Sequence, residues 1–185
     1  FMTLESGLGL SPWDVLNDGL RRRTPLSFGA AVILVGVVLV VVTTAAGMRP
    51  GPGTITNMLL IGAFIEVLLA LGITSGASTW PYWAKVVLSI AGIVLVGLGT
   101  ALYIGAGLGA GPRDGLMVLV ATRARVRVGV ARALVEGTAF LGGALLGGSV
   151  GLGTVLFALG IGPAVDIWFR VFRMDSSGRR TASAQ

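Results

Sequence analysis

Long apolar segments alternate along this chain with short stretches rich in glycine, proline and arginine. Five of the apolar segments contain at most two charged residues each: 28–46, 54–73, 86–112, 129–146 and 154–169. A helix needs roughly 20 mostly apolar residues to cross the hydrocarbon core of a bilayer, and these segments are close to that length or longer. The pattern therefore predicts an all-α fold, a polytopic bundle of transmembrane helices in contact with the lipid bilayer.

Two shorter segments depart from this pattern. Residues 12–20 contain three polar or acidic side chains, and residues 112–122 begin in the same way, with a proline. Pro12 and Pro112 suit the first position of a helix, because the N–H group that proline lacks has no partner there. A helix of about 11 residues is only roughly 16 Å long. We therefore predict that both short helices begin inside the bundle, with their N-termini pointing toward each other near its centre.

A glycine-rich motif occurs twice in the chain. Residues 7–14 read GLGLSPWD, and residues 107–114, which lie 100 positions further on, read GLGAGPRD. The same offset places Thr54 on Thr154, a match that two unrelated apolar segments would seldom show. The sequence therefore predicts two internal repeats, each with a short helix interrupted by glycine and proline. Repeated halves are how many transporters build a central site.

The offset also defines the predicted domains. The first repeat covers residues 1–82, the second covers residues 83–173, and residues 174–185 form a disordered cytoplasmic tail. A full apolar span precedes the second motif, whereas only six residues precede the first. We therefore expect the first repeat to lack its first transmembrane helix, and the natural chain to contain another apolar span before Phe1.

The arginine residues indicate how the repeats are oriented, because cytoplasmic loops carry an excess of Lys and Arg. If each short helix crosses or nearly crosses the membrane, the clusters at 21–23 and 123–127 lie on one side. Both repeats are then parallel. If each short helix folds back instead, the two clusters lie on opposite sides. We expect the parallel arrangement.

Composition narrows the function. Only 12% of the residues are charged and 54% are hydrophobic, whereas a soluble domain has roughly 25% charged residues. The chain contains no Cys and no His, so it lacks thiolate ligands, the commonest metal ligand and the usual general base. We expect no metal, no cofactor and no enzyme activity. The net charge of +6 comes from arginines beside apolar spans, which favours membrane orientation over nucleic-acid binding.

The motifs resemble a bacterial family of integral membrane proteins, the YczE/YyaS/YitT family. The resemblance is carried by GLG at 107–109, Pro112, DGL at 114–116, the segment GLGTVLFALGIGP at 151–163 and the first-half copy at 7–14. It covers nearly the whole chain. It implies a multi-pass protein of the bacterial plasma (inner) membrane, with a cytoplasmic C-terminus and no catalytic residues to carry over. Transport is often attributed to the family.

Two acidic residues lie near the motif prolines. Asp14 and Asp114 either cap a helix start, by accepting backbone N–H groups at the positive end of the helix dipole, or face a central cavity and bind a cation or carry protons. The glycines either allow close packing or present backbone N–H groups to an anion. The motif residues are Gly7, Gly9, Pro12, Gly107, Gly109, Gly111 and Pro112.

Three further charged residues are candidates for a substrate or ion pathway. Glu66 and Asp166 are each the lone charge of an apolar span, where an ionised group costs roughly 2.5–3.5 kcal/mol on insertion scales. They serve a function or lie close enough to the interface to stay hydrated. Arg113 binds an anionic substrate or extends to the interface. Arg132 and Glu136 are four residues apart and are predicted to neutralise each other.

These observations lead to two hypotheses on function. The first is a small-solute or ion transporter whose site lies at the interface of the two repeats, with Asp14 and Asp114 lining one central space. The alternative is a non-transporting membrane subunit that binds or stabilises a partner, which is another membrane protein or a second copy of the chain.

Overall fold

The computed structural model describes residues 2–73, 76–106 and 111–173, and all its regular elements there are helical. A single turn of 3₁₀ helix covers Ala77–Thr79. The α-helices are α1 (Met2–Ser6), α2 (Pro12–Arg23), α3 (Phe28–Ala45), α4 (Pro52–Leu71), α5 (Tyr82–Gly105), α6 (Pro112–Ala124), α7 (Val128–Leu145) and α8 (Leu152–Val171). The predicted all-α fold is confirmed.

Four of the described helices, α3, α4, α5 and α8, are long and apolar enough to cross a membrane. Large apolar side chains, among them Phe64, Val87 and Leu159, cover the outer faces of these helices. The Leu159 side chain is 73% exposed. Apolar surface of this extent suits lipid rather than water. The fifth predicted span forms α7, which contains two charged residues, and its crossing of the membrane stays a prediction.

Both short helices form where the prolines predict them. α2 has 12 residues and α6 has 13, so each is about 18–20 Å long and shorter than the roughly 30 Å of hydrocarbon. Pro12 and Pro112 are their first residues. The other helix starts also recur at an offset of 100, since α3 and α7 begin at residues 28 and 128, and α4 and α8 at 52 and 152.

α2 and α7 run in the same direction. Leu16 of α2 lies against Gly142 of α7, where a methyl group on the glycine would be 3.7 Å from the leucine side chain. One turn further along α2, Gly19 lies against Leu146. At the end of α2, the Arg23 Nε atom donates to the Leu146 carbonyl oxygen at 3.2 Å. Later residues of one helix therefore meet later residues of the other.

α3 and α6 form the matching pair. A methyl group on Gly115, in the first turn of α6, would be 3.9 Å from the Thr43 side chain in α3. At the end of α6, the Arg123 Nη2 atom donates to the Ala46 carbonyl oxygen, just beyond the end of α3, at 3.1 Å. α3 and α6 therefore also run in the same direction.

The two halves consequently run in opposite directions. Only four residues connect α2 to α3, and the two helices pack against each other, so they are antiparallel. α7 runs in the direction of α2, and α6 runs in the direction of α3. α3 is therefore antiparallel to α7, and α2 is antiparallel to α6. The expected parallel arrangement is wrong, because α2 shares its direction with α7 and not with α6. The arginine cluster after α2 and the cluster after α6 lie at opposite ends of the bundle.

The core lies where these four helices meet. Trp13, Leu39, Met117, Val135 and Ala139 form one buried cluster, with a residue or two from each of α2, α3, α6 and α7. Outside this layer α4 packs on α3, and α8 packs on α5. At the helix starts, Ser11 just before α2 and Pro112 at the start of α6 are buried. The predicted division at residue 82 stays a prediction, as does the tail at 174–185, which lies outside the described residues.

Candidate functional site

The start of α2 is capped by a residue that the sequence analysis passed over. The backbone N–H group of Asp14 donates to Ser11 Oγ at 3.2 Å, and the Ser11 hydroxyl donates to Asp14 Oδ2 at 2.7 Å. The two side chains therefore stabilise each other, although Asp14 accepts from the Ser11 hydroxyl and not from the Ser11 backbone N–H group, as it would in a capping box. Ser11 and Asp14 have the Ser-x-x-acid spacing of that motif, which was the signal available in the sequence. Ser11 is therefore the residue that caps α2, and Asp14 holds the Ser11 hydroxyl in place by accepting its hydrogen bond.

Arg113 connects the first turn of α6 to the first turn of α2. Its Nη2 atom lies 3.8 Å from Asp14 Oδ1, and its guanidinium carbon lies 5.3 Å from the centroid of the Trp13 ring. A guanidinium over an indole face is attracted by the ring as well as by the carboxylate. Because α2 and α6 run in opposite directions, this contact places their N-termini face to face.

Two polar atoms beside this contact are buried without a partner. Among the side chains that the structure describes, the buried N and O atoms lacking a hydrogen bond are Trp13 Nε1 and Asn17 Oδ1. Asn17 is fully buried, and its Nδ2 atom donates to Asp14 Oδ1 at 3.4 Å. A buried polar atom without a partner is destabilising by roughly 1–3 kcal/mol. The two atoms therefore offer an unused donor and an unused acceptor at the start of α2.

Asp114 has a different partner from Asp14. The Tyr103 hydroxyl of α5 donates to Asp114 Oδ2. Gly111 precedes the helix and has no side chain to cap it. A methyl group on Gly111 would lie 3.4 Å from Asp114 Oδ2, 3.7 Å from the Tyr103 hydroxyl and 4.0 Å from Asn57 Nδ2 of α4. Polar side chains of α4, α5 and α6 thus come together at the start of α6.

An apolar groove adjoins the polar junction. It has a volume of about 480 Å³ and is lined by α2, α6 and α7, with Trp13, Leu116 and Val135 among its side chains. Trp13 belongs both to the groove and to the contact with Arg113. The junction therefore has charged groups on one side and space for an apolar group on the other.

The motif glycines of the first half serve close packing. Gly7 and Gly9 have φ angles of +67° and +114°, which side-chain-bearing residues rarely adopt. A methyl group on Gly9 would lie 2.8 Å from Thr154 Oγ1, and the Leu8 carbonyl oxygen accepts from Gly153 N at 2.7 Å. The first motif therefore packs against the start of α8. Gly107 and Gly109 lie outside the described residues.

The two lone carboxylates of the apolar spans differ in their surroundings. Glu66 Oε1 accepts from the backbone N–H group of Gly29 at 2.6 Å, so that the side chain in α4 caps the start of α3. Asp166 is exposed, and within the described part of the chain it makes no hydrogen bond or ion pair. No contact connects either residue to Asp14 or Arg113, so the structure brings together only part of the predicted pathway.

Two other charged groups have structural partners. The Arg132 Nε atom lies 2.9 Å from Glu136 Oε1, which confirms the predicted pair. Asp18 is fully buried and accepts from Arg21 and Arg22, and also from the backbone and hydroxyl of Ser149. Burial raises the pKa of Asp18, but the hydrogen bonds from Arg21, Ser149 and Arg22 outweigh it and hold its pKa below the usual value. Asp18 thus joins α2 to the loop after α7.

Among residues 2–73, 76–106 and 111–173, no three acidic, His or Cys side chains lie close enough together to hold a metal ion. The chemistry at the junction is that of one guanidinium, two carboxylates, two hydroxyls, two amides and two helix N-termini.

The helices and their lipid-facing surfaces define a helical membrane protein. The chain belongs to the family of unknown function DUF6198, whose model matches residues 1–170. It is 40% identical over 168 residues to an uncharacterized protein of Haemophilus influenzae, covering 90% of this chain and 74% of the relative.

Two relatives come from Bacillus subtilis. The uncharacterized membrane protein YczE is 37% identical over 161 residues, covering 85% of this chain and 73% of YczE. The uncharacterized protein YyaS is 27% identical over 166 residues, covering 84% of this chain and 77% of YyaS. No solved structure matches the chain. The resemblance to these proteins that the motifs indicate is confirmed.

Proposed function

We propose that the protein transports a small solute or ion, and that the solute binds where the starts of α2 and α6 face each other. The observation that carries this proposal is the contact of Arg113 with Asp14 and Trp13. This contact connects the first turns of α2 and α6, two helices that finish at opposite ends of the bundle. Broken helices whose N-termini meet inside a bundle are typical of transporter substrate sites.

The membrane setting explains why this arrangement points to binding. The first N–H groups of a helix have no partner within the helix, and a polar group exposed to lipid costs several kcal/mol. Ser11 just before α2 and Pro112 at the start of α6 are buried, which supports a junction kept away from lipid. Arg113 is 37% exposed and Asp14 is 26% exposed, so both side chains remain accessible to a solute.

The duplication supports the same proposal. Helices of nearly equal length begin 100 residues apart in the two halves, and the halves run in opposite directions. We infer an inverted repeat, whose two-fold axis lies in the membrane plane and passes between the starts of α2 and α6. Such symmetry places a single central site at equal distance from both membrane surfaces.

Orientation follows from the arginines within this proposal. The bundle end that holds the loops after α3 and α6 and the end of α8 carries Arg49, Arg123, Arg125, Arg127, Arg170 and Arg173. The opposite end has Arg21, Arg22, Arg23 and Lys85. The positive-inside rule then favours a cytoplasmic location for the first end and for the C-terminus, in the bacterial cell membrane.

The test uses purified full chain in vesicles. Charge movement is recorded on a solid-supported membrane while small cations, carboxylates and amino acids are applied in turn. The proposal expects a current for at least one of them, and expects Asp114→Asn to reduce it at an unchanged melting temperature. If Asp114 has only a structural role, the melting temperature falls and the current per folded molecule stays constant. A chain that gives no current but copurifies with a stoichiometric partner is a subunit, not a transporter.

A further inference from the structure

The outer helix pair of the first half is tightly closed. α3 and α4 pack through Gly29 and Gly62, where a methyl group on Gly62 would lie 2.8 Å from the Gly29 carbonyl oxygen. Glu66 closes one end of this contact by accepting from Gly29 N. At the other end Gly36 makes room for Met58, whose Cβ atom would be 3.5 Å from a Cβ atom on the glycine.

The matched pair of the second half is open. Gly129 in α7 and Gly162 in α8 occupy the positions of Gly29 and Gly62, yet a methyl group on either would have no atom within 4 Å. Asp166, at the position of Glu66, is exposed. α7 has no side-chain cap at its start, so the carboxylate and the helix start that pair in the first half are separate in the second.

We propose that α7 and α8 close onto each other in a second conformation, in which Asp166 caps the start of α7 by accepting from the Gly129 N–H group. The first half provides the template, because the residues of two of its contacts, Gly29 with Gly62 and Glu66 with the Gly29 N–H group, recur in kind at the matched positions of the second half. An uncapped helix start beside a lone carboxylate in an apolar helix leaves both groups without a partner, and closure satisfies both.

The shapes of the two helices allow this closure. Glycine at 129 and at 162 permits the close backbone approach that small residues give in membranes. In the first half, small Gly36 faces large Met58. In the second half the order of sizes is reversed, since the matched positions hold Glu136 in α7 and Ala158 in α8. The pair therefore fits in the closed arrangement, and the inference holds whether or not a solute is transported.

Disulfide trapping tests the closure, because the chain contains no native cysteine. The test variant of the full chain in membranes combines Glu136→Cys with Ala158→Cys. The matched control combines Gly36→Cys with Met58→Cys, whose Cβ separation of 3.5 Å suits a disulfide. The proposal expects both variants to form a disulfide under mild oxidation. A test variant that stays reduced while the control is fully oxidised overturns the proposal, provided that both variants elute as monodisperse proteins.

The role of Asp166 is tested in the same background. Adding Asp166→Asn should slow disulfide formation about fivefold, the effect of losing one helix cap, and adding Gly162→Leu should abolish it by blocking the approach. Neither change should affect disulfide formation in the control pair at positions 36 and 58. Unchanged trapping in the Asp166→Asn variant would overturn the assignment of Asp166 as the cap.

Discussion

Glu66 and Asp166 occupy matched positions in α4 and α8, yet only Glu66 reaches the start of a neighbouring helix. The same contrast recurs at the short helices, where Asp14 is held by Ser11 just before its helix and by Arg113, and Asp114 by Tyr103 of α5. The comparison teaches that similar sequences in the two halves are placed in different contacts. Under the proposed inverted repeat, unequal contacts at matched positions are expected of a protein that alternates between two conformations.

The largest expected effect concerns Asp18, whose matched residue is the partly exposed Val118. Asp18→Ala removes the acceptor for Arg21, Arg22 and Ser149 and should lower the free energy of unfolding by about 3 kcal/mol, since hydrogen bonds to a charged group are the strong ones. Val118→Ala should change it by less than about 0.5 kcal/mol. Denaturant unfolding in detergent measures both. Equal effects would contradict the anchoring role of Asp18.

Asp18 also predicts a pH dependence. Its pKa is lower in the folded protein than its usual value, so its contribution to stability is present above the usual pKa and is lost as the pH falls through the folded value. Wild-type protein should therefore lose stability below about pH 4 more steeply than the Asp18→Ala variant. Melting temperatures from pH 6 to pH 3 provide the comparison, and parallel curves would contradict it.

The second prediction concerns the outer helix pairs. Gly62→Ala places a methyl group 2.8 Å from the Gly29 carbonyl oxygen and should destabilise the protein by roughly 1–3 kcal/mol through overpacking. Gly162→Ala meets no atom within 4 Å and should leave stability unchanged or raise it by up to about 1 kcal/mol, because alanine favours a helix. Thermal unfolding of the two variants decides the matter, and destabilisation by Gly162→Ala would show that α7 and α8 are mainly closed.

A smaller effect is expected at the two lone carboxylates. Glu66→Gln weakens the cap of α3 and should reduce stability by about 1 kcal/mol. Asp166→Asn removes no contact in this conformation and should reduce it by only a few tenths of a kcal/mol. The check is again the difference between the two melting temperatures. A larger loss for Asp166→Asn would reverse the comparison between the halves.

The sequence predicted the apolar helices, the two proline starts and the Arg132–Glu136 pair, because each depends on local spacing. It did not predict the direction of the second half. Arginine follows both short helices, so the charge pattern suits either arrangement, and only contacts such as Arg123 with Ala46 distinguish them.

The candidate site was predicted in part for a related reason. Asp14 and Asp114 were found because the motif repeats. Tyr103 and Asn57 were missed because their matched residues, Thr3 and Phe157, have different chemistry. Ser11 had a local signal, its spacing to the acid at 14, whereas contacts between α4, α5 and α6 depend on packing that no local pattern encodes.

The most direct test of the central claim is a double-mutant cycle at the junction. Asp14→Asn and Arg113→Gln are made singly and together, and solute-driven current is measured in vesicles beside Arg123→Gln, a change at the end of the same helix. The account predicts that each junction variant lowers the current at least about tenfold, that the double variant is no worse than either, and that Arg123→Gln retains it. Full current in all junction variants, with only their melting temperatures reduced, would contradict a site where α2 and α6 meet.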